Sequence, residues 1–146
     1  MIIWDRLRTI SGLLFKATSE SETGWNGEGR GIIQVDKPAD NILLFSESGH
    51  WTPTGGPKIA FRNVFRWTLQ VDQPAITLEH LRFGPDNPVF LFELRPTTPS
   101  FWNTATPHLC GKDTYDAVLH ITPDSLIMHW TIQGPAKNES VVYTYR

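Results

Sequence analysis

Apolar residues in this chain recur mostly at every second position, in short runs cut by turn-forming residues. The longest run spans residues 59–71. Within it Phe61, Asn63, Phe65 and Trp67 alternate with Ala60, Arg62, Val64 and Arg66. A period of two sends alternate side chains to opposite faces of a strand, so the aromatic-rich set shares one face and the arginines take the other. Asp72-Gln73-Pro74 then supplies a hairpin-length turn. In the next strand Ile76, Leu78, His80 and Arg82 form one face, and Thr77, Glu79 and Leu81 the other. Residues 84–88 (GPDNP) are strong turn formers, and residues 89–94 (VFLFEL) are almost continuously apolar, as suits a strand in a barrel wall.

The same pattern predicts strands at 13–18, 31–35, 42–47, 115–122, 126–133 and 141–145. Turns fall at 36–41, at Pro123-Asp124 and at Gly134-Pro135. Residues 49–58 read as a loop, as do 95–107, which hold Phe101 and Trp102. Gly27-Glu28-Gly29-Arg30-Gly31 reads as a flexible lead-in to a strand, because it lacks the Lys-Ser/Thr of a phosphate cradle. Near the N-terminus Ile2, Ile3, Leu7 and Ile10 could line one face of a short helix, and Trp4, Leu7 and Ile10 recur at a spacing that suits a single turn. About nine regularly spaced strands imply an all-β fold. The expectation is an antiparallel up-and-down β-barrel of about 8–10 strands, since closure removes sticky sheet edges, with the N-terminal helical turn plugging one end.

Composition narrows this further. The 146 residues suit one domain spanning 1–146. Six Trp, eight Phe and three Tyr offer large buried area, and eleven Gly with eleven Pro punctuate the strands. A net charge of −2 leaves no basic excess for a phosphate backbone, so nucleic acid is not an expected partner. One cysteine excludes an intrachain disulfide and fits a reducing compartment. The first residues, MIIWDRLRTISGLLFK, carry charges too early for a signal peptide and contain no membrane span, so a cytoplasmic location is expected.

Four segments together carry a resemblance. They are LEHLRFGPDNPVFLFEL at 78–94, PHLCGKDTY at 107–115, W-x-x-x-G-P-x-K from Trp130 to Lys137, and Y-x-Y-R from Tyr143 to Arg146. In this combination, which includes an H-x-C-G-x-D-x-Y junction, the chain resembles a bacterial and fungal family of small domains of unknown function. The resemblance implies a lipocalin-like β-barrel and transfers no activity. After Gly134-Pro135 the family's aromatic-ending P-R-K-D-Y type of segment is replaced here by Pro135-Ala136-Lys137-Asn138-Glu139, which leaves Lys137 alone for any charge role.

Polar candidates for function cluster in two places. His108, Cys110 and Asp113 could approach one ion, but a closed zinc site needs further ligands from His80, His120 or His129, and no metal is expected. In a purely structural role Gly111 supplies a positive φ, Asp113 caps a turn and Cys110 is a small buried hydrophobe. Arg66 and Glu79 suit a cross-strand pair on the outer wall. Should Arg62, His80 and Arg82 instead point inward, they would demand a carboxylate partner, from the protein or from an anionic ligand. Trp25, Trp51, Phe101 and Trp102 read as loop aromatics able to cap a barrel mouth or form a contact surface, a homodimer included.

The function expected from these residues is non-enzymatic binding of a small, largely apolar molecule inside the barrel, with an anionic group as one option. Arg66, His80, Arg82, His108, Cys110, Tyr115 and Trp130 are the candidate ligand-binding residues. Two alternatives stand beside it: a small enzyme using the same pocket with His108 as acid or base and Tyr115 or Cys110 as partner, and an interaction module with a filled barrel. No cofactor is assigned.

Overall fold

The computed structural model describes residues 2–20 and 26–146. A short helix, α1 (Ile2–Leu7), precedes the strands β1 (Gly12–Ser19), β2 (Gly27–Ala39), β3 (Ile42–Pro53), β4 (Ile59–Leu69), β5 (Ile76–His80) and β6 (Val89–Thr98). The strands β7 (Phe101–Thr104), β8 (His108–Cys110), β9 (Asp113–Ile121), β10 (Leu126–Gly134) and β11 (Lys137–Tyr145) follow. Strands adjacent in the chain pair antiparallel except β7 and β8, and two further pairings complete the ring: β11 with β1, and β9 with β7. The ladder between β9 and β10 leaves the sheet without a free end, so ten strands form a closed antiparallel barrel. No helix among the described residues is long and apolar enough to cross a membrane.

The eleventh strand, β8, lies beside β7 rather than in the ring. Both pair with the same edge of β9, β7 with residues 118–120 and β8 with residues 113–115. The second edge of β6 is paired with β7 only from Leu94 onward. Between Val89–Glu93 of β6 and the outer edge of β8, no ladder joins the wall among the described residues. The Phe90 and His108 rings, 4.9 Å apart and edge-on, bridge this seam.

Alternation decides what points inward. On β4, Phe61, Asn63, Phe65 and Trp67 face Gly49, Glu47, Phe45 and Leu43 of β3 across the ladder. Phe45, Phe65, Trp67 and Leu43 are buried, whereas Arg62 and Val64 are exposed on the other face. One end of the barrel is solid. Leu13, Leu43, Trp67, Ile76, Leu126 and Tyr145 pack there with Ile3, Trp4 and Leu7 of α1. The helix is held in place by the Arg6 guanidinium, which donates to the Thr122 carbonyl at the β9–β10 turn over 2.9 Å. The expected plug is therefore present, but its buried face is Ile3, Trp4, Leu7 and not Ile2, which is exposed.

Residues 27–31 are strand, not a flexible lead-in. Inward positions of this stretch are Gly27, Gly29 and Gly31, and the outward ones are Glu28 and Arg30. A Cβ on Gly29 would run into the Phe15 ring, and one on Gly31 would meet the Ser48 carbonyl at 2.5 Å. Glycine in a strand commonly marks such a close approach. Here Gly29 surrenders side-chain volume to the Phe15 ring and Gly31 lies against the Phe61 ring, while Gly49, opposite Gly31, lets the β2 and β3 backbones approach closely.

Two loops expected from Pro and Gly content are partly strand. Residues 49–53 continue β3, which keeps pairing with β2 and β4 beyond Gly49. Within 95–107, β6 extends to Thr98 and β7 follows, placing Trp102 in the core at 4% exposure. Pairing partners on both sides outweigh the local turn preference of the residues. Trp51 lies in β3 as well, Phe101 sits on the outer wall stacked on His120, and Trp25 lies outside the described residues.

Candidate functional site

Away from the α1 end, the inward side chains no longer fill the barrel. A cavity of about 680 Å³ opens there. Its wall is mainly aromatic and aliphatic, with Phe15, Trp51, Phe61, Leu91, Trp130 and Tyr143 among the lining residues. The rings brace one another: Phe15 meets Phe61 at 5.5 Å and Tyr143 at 5.7 Å, and Trp130 meets Tyr143 at 5.6 Å and Phe92 at 5.2 Å. Such contacts fix ring orientation, so the space is preformed rather than created by a visitor.

Of the residues proposed from sequence, His80, Arg82, His108, Cys110, Tyr115 and Trp130 all line this cavity. Arg66 does not. It lies on the outer wall, where its Nε donates to the Glu79 carboxylate over 2.9 Å, and its face is opposite that of Phe65 and Trp67. Arg62 shares that outward face. Cys110 is exposed rather than buried and faces Asp113 across the β8–β9 ladder. His108 faces Tyr115 in the same ladder, and Gly111 takes a φ of +66° in the turn between the two strands. No three His, Cys, Asp or Glu side chains among the described residues gather in a way that could hold a metal. His120 stacks on Phe101 and His129 hydrogen-bonds Ser140 at 2.6 Å, so neither reaches His108.

The polar core of the cavity is a residue that sequence reasoning missed. Glu47 lines the cavity yet is only 3% exposed. Burial pushes its carboxyl up to about 8, against the lowering effect of a hydrogen bond from the Asn63 side chain. At neutral pH the group is therefore mostly a carboxylic acid. Its Oε2 has no hydrogen-bond partner, and neither does the buried indole nitrogen of Trp130.

A chain of hydrogen bonds leads from Glu47 to the rim. Asn63, opposite Glu47 in the β3–β4 register, accepts at Oδ1 from His80 Nε2 at 3.3 Å. The backbone N–H of Arg82 donates to His80 Nδ1 at 3.0 Å. An imidazole that accepts at Nδ1 carries its proton on Nε2, so the two bonds together select one neutral tautomer. Consistently, desolvation and then the Arg82 charge lower the His80 pKa. Burial first, and Glu47 second, raise the pKa values of Tyr143 and Tyr145, which keep their hydroxyl protons.

The cations stand at the rim. Arg82 is exposed and lies over the Phe83 ring at 5.1 Å. Lys137, also exposed, pairs with Asp113 at 3.5 Å. Tyr115 and then Asp113 raise its pKa.

A signal for Glu47 did exist. Leu43, Phe45, Glu47, Gly49 and Trp51 occupy alternate positions, so the carboxyl had to share the apolar face. Ending the strand at Glu47 concealed this, because a terminal residue has no obligatory face.

Comparison with known proteins gives three results. The model of a family of unknown function, DUF6314, matches residues 4–146. No curated protein matches the chain. Among solved structures, a redesigned β-barrel, mFAP1, bound to DFHBI, is similar over 93% of each chain at 11% identity, with a TM-score of 0.43.

Proposed function

Starting from the fact that the chain belongs to DUF6314, a family of unknown function, we propose that it binds a small, largely apolar molecule inside the barrel. The carrying observation is the cavity of about 680 Å³, braced by aromatic rings and served by one polar chain, Arg82–His80–Asn63–Glu47. Small-molecule sites typically occupy roughly 300–1,000 Å³ and combine apolar walls with a few placed polar groups. Phe15, Phe61 and Trp130 supply affinity, while Asn63, His80 and Tyr143 orient the guest. An anionic group on the guest would be held at the rim, by Arg82 and Lys137, where these cations stand. His108 and Tyr115 line the same rim and shape the approach.

The test uses N-phenyl-1-naphthylamine, an uncharged dye whose fluorescence rises in apolar surroundings. Saturable enhancement is expected with the wild-type chain and is expected to disappear in Val141→Trp, which fills the cavity. Arg66→Ala, on the outer wall, should bind as the wild type does. An absence of saturable enhancement, or equal enhancement in Val141→Trp, would overturn the proposal.

A further inference from the structure

The deep part of the cavity is unusual in its charge arrangement. Glu47 is buried to 97% of its surface and has an oxygen without a partner. Among the described residues no cation acts on it: the influences on its carboxyl are burial and the Asn63 amide. Across the ladders it faces Ile33 of β2 and Asn63 of β4, both uncharged. From β11, Tyr143 and Tyr145 approach as neutral phenols. From β5, His80 approaches through Asn63 as a neutral imidazole. Arg82 and Lys137 are at the rim, Lys137 already paired with Asp113. Burying an acid without a counter-cation is costly, and the cost is met here by protonation.

Around this acid stand Phe15, Phe61, Trp130 and Tyr143, whose ring faces carry partial negative charge. A carboxyl without a cation, set among aromatic faces, is a complementary environment for one ligand charge. Given that the cavity binds a guest, as proposed above, we infer that this guest is an apolar amine whose ammonium group pairs with Glu47. The exchange balances simply. The Glu47 carboxylic acid gives its proton to solvent as the ammonium arrives, and the resulting carboxylate accepts the ammonium's N–H bonds. A neutral or acidic guest would instead leave Glu47 protonated.

The linkage has a definite sign. Below pH 8 each ammonium bound releases close to one proton, so affinity rises up to about tenfold per pH unit and flattens once Glu47 is ionised in the free protein. Isothermal titration calorimetry of the full chain in buffers of different ionisation enthalpy counts the protons released. The probes are naphthylmethylamine, naphthylmethanol and naphthylacetic acid, which share one apolar skeleton. The expected result is amine binding at least about tenfold tighter than that of the alcohol, with proton release at pH 6.5. In Glu47→Gln the amine should lose its advantage over the alcohol, and its binding should no longer release a proton. Equal or tighter binding of the alcohol or the acid, or amine binding without proton release, would overturn the inference and leave the cavity function standing. Failure of all the probes to bind would remove both. Because the proton count is made on the wild-type chain, the inference stays testable even if Glu47→Gln does not fold.

Discussion

Glu47 and Asn63 stand opposite each other on β3 and β4, and the Asn63 amide hydrogen-bonds a carboxyl that burial has made a weak acid. An acid weakened by folding ties stability to pH. The folded protein keeps the Glu47 proton up to about pH 8, whereas the unfolded chain loses it near 4.5. Between those values the folded state holds more protons, so Glu47 makes stability fall as pH rises through this window. Its contribution is level below the window and constant again above it.

The first prediction concerns Glu47→Gln, which keeps the shape and removes the titration. At pH 5 its stability should match that of the wild type to within about 1 kcal/mol. At pH 8.5 the variant should be the more stable, by up to a few kcal/mol, since a raised carboxyl pKa of this size is worth on the order of 5 kcal/mol at most. Urea denaturation at the two pH values checks this. A wild-type pH dependence retained in the variant would place the titrating group elsewhere.

Gly49→Ala should destabilise the barrel by about 1–3 kcal/mol. The new methyl group would press on the Arg30 carbonyl and on Gly31 Cα at 2.5 Å, both backbone atoms that cannot step aside. Chemical denaturation measures the loss. A neutral result would mean that β2 and β3 can part locally without cost.

Removal of the plug should be felt more strongly. Leu7 is fully buried among the core residues at the α1 end. Leu7→Ala should cost about 2–5 kcal/mol, the span seen when buried leucines are truncated. A cost below about 1 kcal/mol would show that the barrel end closes without the helix.

Arg66→Ala should lower stability by no more than about 1 kcal/mol, because its pair with Glu79 lies on the outer wall and is partly solvated. Dye binding should be unchanged. His80→Phe, in contrast, breaks the hydrogen bond to Asn63 and should weaken or alter binding while leaving the fold intact. Thermal melts and the dye titration, run side by side, separate the two residues.

The barrel was legible because alternation survives in nearly every strand. The face of β4 could be read from Phe61, Asn63, Phe65 and Trp67 alone, and the pairing of Arg66 with Glu79 followed from strand adjacency. Six of the seven proposed site residues line one cavity, since His80, Tyr115 and Trp130 lie on inward positions and Arg82, His108 and Cys110 cluster at the rim. Arg66 was placed in the site despite its alternation with the aromatic face, which puts it outside. Glu47 was passed over and the 27–31 glycines misjudged for a shared reason. Local chemistry marks Gly as a breaker and Glu as solvent-facing, but inside a paired strand the ladder supplies their environment, and only the neighbouring strands reveal what that environment is.

The unjoined stretch between β6 and β8 makes this barrel a split cuff rather than a rigid tube. At the α1 end every strand is tied to its neighbours, so the girth is fixed. At the other end, among the described residues, no backbone hydrogen-bond ladder ties Val89–Glu93 to His108–Cys110, and the Phe90–His108 ring contact spans the seam. Under the binding proposed above, how tightly a guest is held and how quickly it leaves would be set by different residues: the first by the inner wall around Glu47, the second by a pair of rings on the cuff's two lips.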